Sequence, residues 1–422
     1  MEKFYQLTSK ETKNKIGFIK EHLNKVTGNI RFIKIKPSKE RNKIKVKDLY
    51  KDKDQKQKII KKRNSGVDLI KIVTMIGIVY THILHQGKGL SKYNRYKKKL
   101  MCSYTYVFWH NNAFALLSGI VGYKSTKYSN LLYLWLYVVF YSVGIHYYYL
   151  KCKKGTSVYG KFYKDYFPVI YYRYWYFSSY FGMFIFLPAV NKGLLYLSKP
   201  EFKLLVMSIL CIFVFWFSYI NNGMDVFRMN GGYSAIWLLC LFIIGAYIGK
   251  FNLVYAGIKR YIFSFIYLFI FLFLCFIYNK YIDYANSYIN GNYKTKLRNF
   301  IYTKKLNSFI RTIQAIIITL FFLQLEYNKY LSKFVTFFGP LTFGVYLIHI
   351  NDNVNINYLR TILIRESDNL TFNEVINMII FKSIIFFLEC IIIEYLRHLL
   401  FTMLKIRKIC IYIEQLVFKI IS

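Results

Sequence analysis

Acidic residues are scarce in this chain: 20 Asp and Glu stand against 60 Lys and Arg in 422 residues, for a formal net charge of +40. Cysteine and proline are scarce too, at seven and five residues. The cysteines are scattered, with no C-x-x-C spacing, which argues against a metal cluster or a disulfide framework. Most of them sit in or near apolar runs, where cysteine packs as a small hydrophobe. No GxGxxG, GxxxxGK(S/T), HExxH or GxSxG occurs, so nucleotide hydrolysis, zinc hydrolysis and a serine nucleophile elbow all lack their motifs. The charge invites a nucleic-acid reading, but helix-turn-helix, zinc-finger and RNA-binding motifs are missing. The basic residues are spread over almost every loop rather than gathered in one patch. No internal repeat with a period of about 20–50 residues is present.

Apolar length is what the chain has in abundance. It is 55% hydrophobic and 20% aromatic, with 42 Tyr and 39 Phe. Mean hydropathy is +0.26 despite all the Lys and Arg, so charge and apolar stretches must be segregated along the sequence. From residue 66 onward, continuous apolar runs alternate with short polar loops, the pattern of an all-α, polytopic membrane protein. Strands are excluded by the continuity of the runs, because a barrel strand alternates. The runs predict about ten transmembrane helices, at 66–84, 104–123, 130–150, 168–188, 203–219, 233–249, 259–278, 308–326, 334–350 and 376–401. An even number places both termini on one side.

Three regions follow. Residues 1–62 hold about twenty Lys and Arg, no apolar run and no signal-peptide pattern. This tail is either a solvated, disordered extension or a basic segment held on anionic lipid heads. Its charge beside the first span predicts a cytoplasmic N-terminus, in a multi-pass protein of the plasma membrane. The loops 85–103, 151–167 and 279–307, outer under that orientation, are nonetheless also basic. Residues 63–401 form the ten-helix membrane domain, and 402–422 a short basic cytoplasmic segment.

The first span, Gly66–Leu84, carries the clearest chemistry. Lys71 lies near its start and His82 near its end. Polar residues inside a span are costly and mark function by default. Eleven residues of helix make three turns plus about 20°, so the two side chains share one face, about 16 Å apart along the axis. Such a stripe would face an interior passage. The His82 imidazole can take a proton from a hydroxyl nucleophile at neutral pH; a structural histidine bonded to another helix is the competing reading. Lys71 can attract a phosphate-bearing cosubstrate, or snorkel to the interface, or pair with Asp68 three residues earlier. His85 shares the face of His82 at the water boundary.

Other spans are less pointed. Span two opens on His110, Asn111 and Asn112 and ends on Ser118-Gly119, a pair suited to close helix packing. Span four carries Trp175 through Tyr180. Its aromatics suit an interfacial belt, while Ser178, Ser179 and Tyr180 lie deeper and can line a polar cavity. Span nine ends on His349, followed by Asn351 and Asp352. Span ten holds Glu389, Glu394 and Arg397, the last two at i, i+3, the spacing of a structural ion pair near the membrane edge.

Taken in order, these elements resemble the acyltransferase-3 family of integral membrane acyltransferases, which O-acylate exopolysaccharide, capsule and other glycans. Arg63 through Lys71 and on to His82 is similar to the family's first span. Asn112-Ala113-Phe114-Ala115-Leu116-Leu117-Ser118-Gly119 resembles its second-span element, and Trp175 through Asn191 its W-Y/F-x-x-S-Y…P-x-x-N element. Gly232 through Trp237, followed by Gly245 through Ile248, resembles the sixth-span element, and Phe343 through His349 the late F-G-x-Y-L-x-H element. The five together cover about residues 63–401. The family carries an Arg, ten residues and a His in its first span; here Lys71 stands in the Arg position, which keeps the charge and loses the bidentate fork.

The resemblance implies an acyl-CoA donor, most often acetyl-CoA, with no metal. It implies a hydroxyl on a glycan or lipid-linked saccharide as acceptor, and His82 and Lys71 as catalytic residues. His349, Tyr180, Ser179, Trp175 and Asn112 are the positions expected to line the substrate path. A transporter or flippase for a glycan precursor competes with this reading. It would call for helices broken near the midplane and paired repeats, and no repeat is present.

Overall fold

Asn64 opens the first helix. Its side chain accepts the Gly66 amide at 2.8 Å, satisfying one of the orphan donors of a helix start. From there α1 runs Ser65–His85. The computed structural model describes residues 64–151, 163–220, 225, 227–287 and 305–421. The basic tail 1–62 lies outside the described residues.

All regular structure among the described residues is helical. After α1 come α2 (Lys97–Tyr104), α3 (His110–Gly122), α4 (Ser129–Lys151), α5 (Trp175–Tyr196) and α6 (Lys199–Ile209), which continues in a π-helical stretch, Leu210–Ile220. Then follow α7 (Ala235–Phe251), α8 (Ile258–Ser287), α9 (Phe309–Gln324), α10 (Lys329–Phe338), α11 (Thr342–Ile350), α12 (Phe372–Met403) and α13 (Ile406–Ile421). Gly339 and Pro340 interrupt the α10–α11 rod with a single 3₁₀ turn.

A helix stands in every segment read as a span, but the lengths differ. Among the described residues, six helical segments are long and apolar enough to cross a membrane: Ser65–His85, Ser129–Lys151, Lys199–Ser218, Ile258–Lys280, Lys329–Ile350 and Phe372–Met403. Ala235–Phe251 and Phe309–Gln324 are apolar and shorter. The second predicted span, 104–123, is shorter still as a helix, because turns through 105–109 separate α2 from α3. The continuous apolar run there does not distinguish turn from helix, since burial of either requires the same side chains. The C-terminal stretch read as a basic segment forms α13, which packs on α4 and projects a largely exposed apolar face.

The buried side chains form two main clusters. One gathers around α3, α5, α6, α7 and α9, the other around α1, α4, α11 and α12. α3 and α7 approach closely. A Cβ added to Gly119 would strike the Phe242 carbonyl oxygen, and one on Gly245 the Leu116 carbonyl oxygen, so these glycines set how near the backbones come. α1 is the hub: it packs against α3, α9, α10, α11 and α12, and most of its residues are buried. That is why a helix with a modest apolar bias can hold charged and titratable residues: protein rather than hydrocarbon surrounds most of it.

The Glu394–Arg397 pair is enclosed by protein. Glu394 is fully buried and Arg397 nearly so, on the α12 face toward α4 and α11. Arg397 bonds Glu394 through two nitrogens and donates to the Tyr133 hydroxyl at 3.2 Å, while the Tyr141 hydroxyl donates to Glu394 Oε2 at 2.7 Å. A Cβ on Gly344 would collide with the Glu394 carboxylate, so α11 rests directly on this pair. Buried charges persist only when paired and hydrogen-bonded, and here both are.

Candidate active site

Four helix ends meet at one end of the described bundle, and each brings a polar side chain. His82 sits in the last turn of α1, His110 opens α3, Arg311 lies in the first turn of α9, and His349 closes α11. Antiparallel neighbours place the C-termini of α1 and α11 beside the N-termini of α3 and α9.

The His82 and His349 rings are in contact, with centroids 5.0 Å apart and planes inclined at 51°. His349 is fully buried, and its Nδ1 donates to the Val345 carbonyl oxygen at 2.7 Å. A carbonyl only accepts, so this bond assigns the proton of the neutral ring to Nδ1 and leaves Nε2 with a lone pair. That Nε2 and the Nδ1 of His82 are buried with no hydrogen-bond partner. Two such atoms on touching rings leave hydrogen-bonding capacity that a polar group can use. His110 Nε2 lies 3.5 Å from the Thr81 hydroxyl, which donates to Ile78 O at 2.8 Å.

Arg311 is the residue the sequence reading passed over. It is 1% exposed, its guanidinium lies over the Phe108 ring, and its charge reaches His110 and Tyr104. Tyr104 in turn stands edge-on to His85, with centroids 5.2 Å apart. A signal was available: an arginine one turn into the apolar run Phe309–Leu323 meets the same criterion that singled out Lys71. In the sequence, His110 stands out only as part of the polar cluster opening span two.

Lys71 is placed at the other end of α1. It pairs with Asp68 at 3.5 Å, and Asp68 is fully buried. The stripe from Lys71 to His82 faces inward, and it is packed rather than open: Thr74, Met75 and Ile78 between them are buried. The other expected residues divide. Tyr180 connects to His349 through a file of rings, Tyr180–Tyr176 at 6.4 Å, Tyr176–Tyr346 at 6.1 Å and Tyr346–His349 at 6.2 Å. The Tyr176 hydroxyl is also buried without a partner. Trp175 and Ser179 converge on Tyr233: the Trp175 ring lies 4.5 Å from its ring, and the Ser179 hydroxyl donates to its carbonyl at 3.0 Å. Asn112 is a helix tie, donating to Leu306 O at 2.7 Å and accepting from Trp237 Nε1 at 3.1 Å. Both ends of its amide are thus occupied within the fold.

The arrangement can hold a neutral hydroxyl against an imidazole and a cation near any anion that forms there. Among the described residues no three His, Cys, Asp or Glu side chains are grouped to hold a metal ion. Comparison with known proteins adds one finding: a family model described as an acyltransferase domain matches residues 64–410. No curated protein and no solved structure matches the chain.

Proposed function

The chain belongs to the acyltransferase-3 family and is an integral membrane protein, and from that premise we propose that it moves an acyl group, most simply acetyl, from acyl-CoA to a hydroxyl of a cell-surface or exported glycan. In this reading all ten apolar segments cross the plasma membrane, with both termini cytoplasmic.

His82 acts as the general base. It takes the proton of the acceptor hydroxyl as that oxygen attacks the thioester carbonyl. The C–O bond forms, the C–S bond breaks, and the proton passes from His82 to the departing CoA thiolate. His349, its proton committed to Val345, packs its ring against the His82 imidazole and so holds that ring in place. Arg311 supplies fixed positive charge for the oxyanion of the tetrahedral intermediate, as preorganised donors do in other acyl transfers. Lys71, at the opposite end of α1, attracts the phosphates of the cofactor; the packed Thr74–Met75–Ile78 stretch must part for the thioester to reach His82. Tyr180 with its file of rings lines the acceptor side, while Trp175 and Ser179 hold Tyr233 in place beside it. Asn112 sets the relation of α3 to α7 rather than touching substrate.

The single observation behind this reading is the His82–His349 ring contact at the joined helix ends of a family acyltransferase. Its test is mass spectrometry of surface glycans from cells with and without the protein. Loss of an acetyl mass in its absence supports acyl transfer, and identical glycan profiles contradict it.

A further inference from the structure

The turn that follows α1 is built from Gly87, Lys88 and Gly89. Gly87 N–H donates to the His82 carbonyl oxygen at 2.9 Å, so this turn is tied to the backbone of the proposed base. A Cβ on Gly87 would crowd the Ile83 carbonyl oxygen, and Lys88 takes a left-handed conformation with φ at +60°. Left-handed backbone at a bulky non-glycine residue is uncommon and costs energy, which makes Lys88 worth explaining.

Lys88 borders a cavity of about 450 Å³, within the range of about 300–1,000 Å³ usual for small-molecule sites. Ser91, Lys92, Arg360 and Asp368 also line it. The basic residues of this region have different employments. Lys92 donates to Ile364 O at 3.3 Å and Glu366 O at 2.7 Å, and pairs with Asp368 at 3.3 Å. Tyr93 donates to Ser367 O at 3.1 Å, and Arg95 to Asp368 O at 2.7 Å and Leu370 O at 2.5 Å. These bonds fasten the segment 364–370 to the turn and fix the cavity wall. Lys92 and Asp368 cancel. Lys88 and Arg360 are exposed and, among the described residues, form no ion pair or side-chain hydrogen bond. Two uncompensated cations therefore flank a fixed polar cavity, beside a serine hydroxyl.

We propose that this cavity is an anion subsite that holds a carboxylate or phosphate carried by the acceptor saccharide, beside the hydroxyl presented to His82. Arg360 offers a planar fork for a carboxylate or phosphate, and Lys88 a point charge. The proposal rests on the acyl-transfer reading, which sends the phosphates of CoA to Lys71, about 20 Å from the far end of α1 that leads into this turn. It narrows the substrate class to acidic glycans.

Binding without turnover tests it. The full chain in phosphatidylcholine nanodiscs is titrated with an oligosaccharide ending in glucuronate and with the neutral methyl ester of the same sugar. The acid is expected to bind at least about tenfold more tightly than the ester. The Lys88→Gln/Arg360→Gln variant is expected to lose that margin, and Lys88→Arg/Arg360→Lys to keep most of it. Lys97→Gln/Arg365→Gln removes two charges outside the cavity and should change nothing. Equal binding of acid and ester, equal loss in the outside-charge variant, or displacement of the acid when phosphatidylglycerol replaces phosphatidylcholine would each overturn the proposal. The last result would assign the cavity to a lipid headgroup. A negative result leaves acyl transfer standing, because transfer is read separately, as the acetyl mass on surface glycans, while this binding is read without turnover.

Discussion

The imidazoles of His82 and His349 meet at 5.0 Å although one closes the first helix and the other lies near the far end of the sequence. The hydrogen bond from His349 Nδ1 to Val345 O makes the pair asymmetric. One ring has its proton committed to the backbone; the other is partly buried and its Nδ1 makes no hydrogen bond. The proposed division of labour, His82 as base and His349 as its support, follows that asymmetry.

His349→Phe keeps the ring volume and removes both nitrogens. It is expected to lower kcat for acyl transfer by about 10²–10⁴-fold with little change in KM for acyl-CoA. Steady-state assays in detergent or nanodiscs measure both. An unchanged kcat would reduce His349 to a packing residue.

Arg311→Met keeps an unbranched side chain beside Phe108 and deletes the charged guanidinium that lies over its ring. Loss of a preorganised oxyanion partner costs about 10²–10³ in kcat. The predicted outcome is a fall of that size with binding of both substrates retained. A wild-type rate would show that the guanidinium serves the fold alone.

Glu394→Ala would strand the Arg397 guanidinium in the interior. Breaking a buried pair from one side costs about 3–5 kcal/mol, so thermal unfolding in detergent should begin well below wild type. Replacing both residues, as in Glu394→Leu/Arg397→Met, should recover most of the loss. If the single change left unfolding unaltered, the pair would not be holding α11 and α12 together.

How much of this was legible in the sequence depends on the kind of signal. The helices were legible, because apolar runs of span length admit little else in lipid. His82 and His349 were legible as members of ordered motifs, and the Lys71–Asp68 pairing as an i, i+3 spacing. Their contact was not, because nothing in one chain of letters says that α1 and α11 finish side by side. Arg311 was missed for a different reason. It stands one turn into an apolar run, where a snorkelling end residue and a buried cation look alike until the neighbours are known. For Asn112 the motif position suggests substrate contact, while the two helix-tying bonds of its amide, to Leu306 and Trp237, are visible only in the fold. Helix ends were the least legible, since residues 105–109 turn while remaining as apolar as the helix that follows.

Lys71 tests the path of the donor. Lys71→Ala should raise KM for acyl-CoA more than Lys71→Arg does, because arginine keeps the charge that attracts phosphate. Equal KM values across wild type and both variants would confine Lys71 to its pairing with Asp68.

The central claim stands or falls on His82. In purified, correctly inserted His82→Ala protein, transfer of a radiolabelled acetyl group from acetyl-CoA to glycan should fall to background, while membrane insertion and thermal stability match wild type. Transfer at an undiminished rate in that variant would contradict the account.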